Sequence, residues 1–178
     1  MQRLYPFEPQ PWLSAVQLRG NAHWQGGNLS VCFALQAPRA ALKRPGGCGE
    51  LYRRDGLWQS TCFEAFLSAP GQEAYWEINL SPNGDWNVYG LSAYRQNLKP
   101  AAEIKALPYC LRALEEELQI SFQLNLCSLL SPTAPLELCL TAVLDDPEHG
   151  CSYWAWRHGG TEPDFHRRAS FQLLEPSA

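Results

Sequence analysis

Apolar and polar residues alternate with a period of two along most of the chain, and this pattern predicts strands. Leu29, Val31, Phe33 and Leu35 alternate with Ser30, Cys32, Ala34 and Gln36. Leu118, Ile120, Phe122, Leu124 and Leu126 alternate with Gln119, Ser121, Gln123 and Asn125, and Leu136, Leu138 and Leu140 repeat the pattern. Val16 with Leu18, Thr61–Ser68, Tyr109–Leu114, Tyr153–Arg157 and Ser170–Leu174 supply further short strands. Ser81-Pro82-Asn83-Gly84-Asp85 is a turn sequence, because proline fixes φ and Asn-Gly accepts positive φ. It is expected to join Tyr75–Leu80 to Trp86–Leu91 as a hairpin. Helical periodicity is confined to Ser128–Leu130, and Leu111–Leu118 reads equally as helix or strand. About nine or ten strands at this spacing predict an all-β fold, a mostly antiparallel, jelly-roll-like β-sandwich. No repeat or linker interrupts it, so residues 1–178 read as one domain with its core over about 13–175.

Composition narrows the function classes. The chain has 178 residues, is 46% hydrophobic and 18% charged, and carries a net charge of −4, which suits a globular domain with a substantial core. The fourteen Lys and Arg residues are scattered, and the one local group (Lys43, Arg44, Arg53 and Arg54) reads as solvated surface. No nucleic-acid partner is expected. No apolar run reaches membrane-spanning length, and Met1–Trp12 has no apolar segment of the kind that directs export. The seven cysteines include no closely spaced pair, so they read as reduced thiols in a cytoplasmic protein. Gly46-Gly47-Cys48-Gly49 lacks the strand-to-helix setting of a phosphate loop and reads as a flexible loop.

Strand parity sorts the polar residues. Trp76, Ile78 and Leu80 form one face of their strand, which sets Glu77 and Asn79 on the other. Phe63, Ala65 and Leu67 point to the core, which sets Cys62, Glu64 and Phe66 on the opposite face. If Trp58 belongs to the same strand, it shares the Glu64 face. An aromatic plate beside Glu64, Glu77 and Asn79 suits a sugar, whose C–H bonds pack on a ring while its hydroxyls need fixed partners. The plainer alternative has Trp58 filling a core gap and Glu64 paired with Arg95. His158, Asp164 and His166 flank a glycine-containing loop; they either hold a metal, serve proton transfer, or pin the loop onto the sandwich.

Leu57-Trp58-Gln59-Ser60-Thr61-Cys62-Phe63-Glu64-Ala65-Phe66-Leu67 and Tyr75–Trp86 resemble two signatures of DOMON-like domains related to family 9 carbohydrate-binding modules. Tyr153-Trp154-Ala155-Trp156-Arg157-His158 and Pro163-Asp164-Phe165-His166 resemble the ending of the bacterial DOMON-like group. The resemblance implies a β-sandwich with a ligand site on one sheet or its rim. In the sugar-binding members two tryptophans clamp the sugar while a glutamate and an R-x-N pair hydrogen-bond to it. Trp58, Glu64 and Asn79 match the first tryptophan, the glutamate and the asparagine, and Trp154 or Trp156 matches the second clamp. Glu77 stands where those members have arginine, which reverses the local charge. Other DOMON members bind haem through methionine and histidine, but Met1 is the only methionine here, so haem is not expected. Some family 9 modules carry structural calcium; Asp145, Asp146 and Asp164 are candidate oxygen ligands, though no loop has a recognisable ligand spacing. No cofactor is therefore expected.

These readings point to a non-catalytic module for a carbohydrate or related polar metabolite. The candidate site comprises Trp58, Glu64, Glu77, Asn79, Trp86, Arg95, Trp154, Trp156, His158, Asp164 and His166. One alternative is a structural or protein-interaction module with a stripe of exposed tryptophans. The other is a glycoside-processing enzyme using Glu64 and Glu77 as acid and base, which would lie about 5 Å apart if directly opposite on neighbouring strands. An open sandwich edge can also support a homodimer.

Overall fold

A computed structural model describes residues 1–37, 52–115 and 117–177; Lys43, Arg44 and the run Gly46–Gly49 lie outside them. The described residues form twelve strands in one strongly curled, antiparallel sheet. These are β1 (Gln2–Pro6), β2 (Gln17–Gln25), β3 (Asn28–Gln36), β4 (Cys62–Ser68), β5 (Tyr75–Leu80) and β6 (Trp86–Leu91). They continue with β7 (Lys99–Pro100), β8 (Tyr109–Ala113), β9 (Glu117–Asn125), β10 (Leu136–Asp146), β11 (Gly150–Ala155) and β12 (Gln172–Leu174). The all-β, sandwich-like class is therefore as the alternation predicts. The Leu111–Leu118 ambiguity resolves to strand, because β8 and β9 pair as a hairpin with Ala113 opposite Leu118.

Two halves of the sheet fold against each other through β1. Its first part pairs with β2 and leads to β3, β9 and β8; its last two residues pair with β11 and lead to β10, β4, β5, β6 and β7. The alternating apolar residues meet between the halves. Leu18, Leu29, Val31, Phe33, Ile120 and Phe122 pack toward Phe63, Ala65, Leu67, Ile78, Leu138 and Leu140 in one core. A second, smaller apolar cluster lies on the outer face of the β4–β5–β10 half, where Phe66, Tyr75, Tyr89, Val143 and Phe165 come together. A sheet face is normally either core or solvent, and here the outer one is covered by the segment from Trp156 to Phe171. That cover is why every residue of β4 is buried.

Local chemistry fixes the hairpins. Gly84 sits at φ 92°, and Asn83 Oδ1 accepts from the Asp85 N–H at 3.0 Å, so β5 and β6 register with Leu80 opposite Trp86. Between β2 and β3 the turn residues Gly26 and Gly27 lie at φ 55° and 79°, as a two-residue hairpin of this twist requires. A Cβ on Gly27 would overlap the Cys127 sulfur, while one on Gly26 meets nothing nearby. Gly26→Ala is therefore expected to cost about 1 kcal/mol from backbone strain alone, and Gly27→Ala about 2–3 kcal/mol. Urea denaturation of the two variants checks the difference.

Arg53 is not solvated surface. Its guanidinium lies 4.4 Å from the Trp86 ring centroid, donates to Asn87 Oδ1 at 2.8 Å and reaches the carbonyls of Val88, Ala101 and Ile104. It ties the segment after β7 to β6. The six cysteines among the described residues are all free thiols. No helix among those residues is long and apolar enough to cross a membrane.

Candidate functional site

The outer face of the β4–β5–β6–β10 half carries the polar residues that parity assigns to it. Strand register aligns Thr141, Glu64, Asn79 and Asn87 in one row across the sheet, and Cys139, Phe66, Glu77 and Tyr89 in the next. Glu64 thus faces Asn79, and Glu77 faces Phe66. The two carboxylates are diagonal neighbours, not the directly opposite pair that the enzyme alternative calls for, because the register sets Glu64 against Asn79 and Glu77 against Phe66.

Over these rows lies a cavity of about 300 Å³, at the small end of the range for small-molecule sites. Glu64, Glu77 and Phe66 form its floor. Leu91, Leu98, Val143, Pro163 and Phe165 give apolar walls, and Trp58, Arg95, Tyr153 and His166 complete the lining. Trp58 does not extend β4; it sits on a one-turn 3-10 segment, Leu57–Gln59, entered through Gly56 at φ 74°. The turn leaves its indole 38% exposed, edge-on to Tyr89 with ring centroids 5.8 Å apart.

The floor is electrostatically unusual. Glu64 and Glu77 are 2% and 3% exposed. Burial, reinforced by the charge of Glu77, pushes the Glu64 carboxyl up to about 8, against hydrogen bonds from Thr141 and Cys62. Burial pushes Glu77 up to about 6, opposed by the Asn79 hydrogen bond and the charge of Arg95. Thr141 Oγ1 donates to Glu64 Oε2 at 3.2 Å, and Asn79 Nδ2 donates to Glu77 Oε1 at 2.7 Å. Glu64 therefore pairs with Thr141 and not with Arg95.

One wall is a hydrogen-bonded relay. Arg95 lies in the left-handed region at φ 53°, and its N–H donates to Tyr75 Oη at 3.1 Å. The Tyr75 hydroxyl is in turn hydrogen-bonded to His166 Nδ1, 2.8 Å away. Burial, with the nearby charge of Arg95, lowers His166 to about 4, so near pH 7 it is a neutral ring. Behind this wall, Arg95 Nη2 reaches Asp164 Oδ1 at 2.8 Å. Tyr94 Oη donates to Asp164 Oδ2 at 2.6 Å, and Arg167 Nε lies 3.2 Å from the same oxygen. Burial works against the Asp164 charge, but the Tyr94 and Arg95 hydrogen bonds outweigh it and hold the carboxyl below its usual range. Asp164 is a holder of Arg95, not a wall of the cavity.

The remaining sequence candidates are elsewhere. Trp86 is 4% exposed and belongs to the inner core. Trp154 pairs with Ala142, and so points inward; it is 1% exposed and donates to Ser152 Oγ at 2.9 Å. Trp156 packs on the same core. Neither of the last two is a second clamp; opposite parity puts their neighbour Tyr153 on the cavity instead. His158 Nε2 donates to the Tyr5 carbonyl at 2.9 Å and stands edge-on to Phe7, so the His158–Asp164–His166 group is split among three partners. Asp146 accepts the backbone N–H groups of Glu148 and His149 in the β10–β11 turn, apart from the Asp164 network. Tyr75 and Tyr89 were findable, since Tyr75 shares parity with Glu77 and the hairpin register places Tyr89 opposite it. Thr141 and Phe165 depended on pairings between strands and loops distant in sequence.

No protein-family model and no curated protein matches the chain. Its structure is similar to that of a candidate carbohydrate-binding protein of Bacteroides uniformis, with a TM-score of 0.70, 14% identity, and coverage of 99% of this chain and 87% of that one. It is similar to a family 9 carbohydrate-binding module of Caldicellulosiruptor kristjanssonii in complex with glucose, with a TM-score of 0.54, 11% identity, and coverage of 92% and 78%. The corresponding structure with cellotriose gives 0.54, 10%, 97% and 82%. At these identities the likeness is one of fold, and the chain shares that fold with carbohydrate-binding modules.

Proposed function

We propose that the chain is a non-catalytic, DOMON-like binding module for a carbohydrate or closely related polar metabolite, held in the cavity above Glu64 and Glu77. The observation that carries this reading is the cavity itself: an exposed indole and Tyr153 at its rim, apolar walls, and buried hydrogen-bonding groups on its floor. Polar floor and aromatic rim match the two kinds of surface a sugar ring offers. The fold shared with carbohydrate-binding modules supports the same reading. Among the seven tryptophans only Trp58 is substantially exposed, so the stripe that a protein-interaction module needs is missing from the described residues.

Trp58→Ala is expected to weaken sugar binding about tenfold to a hundredfold, since a rim aromatic contributes about 1.5–3 kcal/mol. It should leave the melting temperature nearly unchanged, because the indole lies outside the core. Calorimetric titration with mono- and disaccharides, alongside thermal denaturation, checks both halves. Undiminished affinity in the variant, or no sugar that raises the wild-type melting temperature, speaks against the reading.

The unequal proton affinities of Glu64 and Glu77 favour acid–base catalysis as a second reading. Glu64→Gln separates the two: it weakens binding in a module and abolishes hydrolysis of a chromogenic glycoside in an enzyme.

A further inference from the structure

The floor of the cavity is short of donors. Glu64 Oε1, Glu77 Oε2 and Asn79 Oδ1 are buried without a hydrogen-bond partner among the described residues, on side chains only 2%, 3% and 0% exposed. They are neighbours, because Glu64 faces Asn79 across the β4–β5 pair and Asn79 Nδ2 is 2.7 Å from Glu77 Oε1. All three are acceptors, and the one amide donor of the group is already committed to Glu77. A proton on Glu64 can serve one of the other two oxygens, so while Glu77 is ionised at least one acceptor stays unmatched. Each such group costs about 1–3 kcal/mol when buried, which an incoming donor recovers.

Charge points the same way. Among the described residues the one guanidinium lining the cavity, Arg95, is paired with Asp164 at 2.8 Å, and Asp164 is further bound by Tyr94 and Arg167. His166 is neutral. The floor therefore keeps the negative charge of Glu77, joined by that of Glu64 once its proton leaves. Hard metal ions need six or more oxygen ligands or near-octahedral geometry, and no group of three His, Cys, Asp or Glu among the described residues can hold one.

We propose that this floor is a subsite for a protonated primary amine, and that the ligand is an amino sugar bearing a free ammonium group. The proposal rests on the sugar-binding reading above and names its ligand class. An ammonium has three N–H donors and no acceptor, enough for the unmatched Glu64 and Glu77 oxygens on the residues that line the cavity, in charge-assisted bonds that are roughly twice as strong as neutral ones. A neutral hydroxyl brings a single donor and no charge. The groups facing Glu64 are Cys62 on its own strand, Thr141 on β10 and Glu77 on β5, with Tyr75 farther along β5. Tyr89 on β6, Arg95 with Asp164, and His166 complete the surroundings. Of these, Glu77 is the group whose charge an ammonium screens, so binding at about pH 7 releases up to one proton from Glu64.

Titration calorimetry at about pH 7, in two buffers of different ionisation enthalpy, tests this with glucose, glucosamine, N-acetylglucosamine and cyclohexylamine. Glucosamine should bind at least about tenfold more tightly than glucose or N-acetylglucosamine, with proton release that the other two sugars lack. Glu77→Gln should reduce the glucosamine-to-glucose ratio to below about threefold. Equal affinity for glucosamine and N-acetylglucosamine overturns the amine subsite while leaving the sugar reading in place. Cyclohexylamine binding as tightly as glucosamine keeps the amine subsite and overturns the sugar. Failure of all four overturns both.

Discussion

Phe63→Ala is expected to destabilise the fold by about 3–5 kcal/mol, a large share of the about 5–15 kcal/mol that holds a typical domain together. Phe63 is fully buried on β4, and its ring centroid lies 5.2 Å from that of Phe33 on β3. The pair bridges the two halves of the curled sheet. Its flanking partners in register are Leu80 and Ala142; the alanine is too small to move into the space, and both strands are pinned by ladders on either side. The cavity should therefore persist. Urea denaturation should show a lower midpoint with an unchanged slope, and Phe63→Leu should recover most of the loss. A loss below about 1 kcal/mol for the alanine variant would mean that the halves are not packed through this pair.

Phe63 also shows what was legible in the sequence. Its inward direction follows from the period-two pattern, as do those of Ala65, Leu67, Ile78 and Leu80. The β5–β6 hairpin was readable to the residue, because Asn83-Gly84 fixes both the turn and the register. Parity, however, assigns a face and not a neighbour. Nothing local says that β4 pairs with β10, or that β1 leaves β2 for β11 between Leu4 and Tyr5. β1 itself is hidden, since Leu4 is the only residue of Gln2–Pro6 that is buried and the prolines around it signal a loop. β7, with two residues, has no pattern to read.

The site divides along the same line. Glu64, Glu77 and Asn79 were placed on a common face by alternation alone, and the cavity gathers two of them with Trp58, Arg95 and His166. The Tyr153-Trp154-Ala155-Trp156 run misleads because every candidate in it is aromatic or small, so hydrophobicity does not reveal which parity faces the core. The pairing of β11 with β10 decides it, turning Trp154 toward Ala142 and Tyr153 outward. Asp164 and His158 are close in sequence, whereas their partners are Arg95 and Tyr5, far away along the chain.

A second large effect concerns the cost of keeping Glu64 buried. Its folded value of about 8 lies above its ordinary value of 4.5. Between those limits the folded chain holds a proton that the unfolded chain has lost, so stability falls as pH rises through the window. His166 acts with the opposite sign and mainly lower down: the unfolded ring charges below about 6.5 while the folded one stays neutral to about 4, which costs stability on acidification. Glu77 is spent by about pH 6. The interval from pH 6.5 to 8 therefore isolates Glu64, and over it the wild type should lose about 1.5 kcal/mol more than Glu64→Gln. The two should be close only at about pH 4.5 and below, where the carboxyl is protonated in folded and unfolded chains alike and has nearly the shape of the amide. By pH 6.5 the wild type should already trail the variant by about 2–3 kcal/mol. At pH 8 the variant should be the more stable protein, since its amide N–H groups can serve Asn79 Oδ1 and Glu77 Oε2 without any charge to desolvate. Denaturant titrations at the two pH values check this, and parallel profiles would rule it out. A residue whose replacement strengthens the fold while weakening binding is held there for its ligand, and the ligand that recovers most from that arrangement is one that arrives with donors and a positive charge.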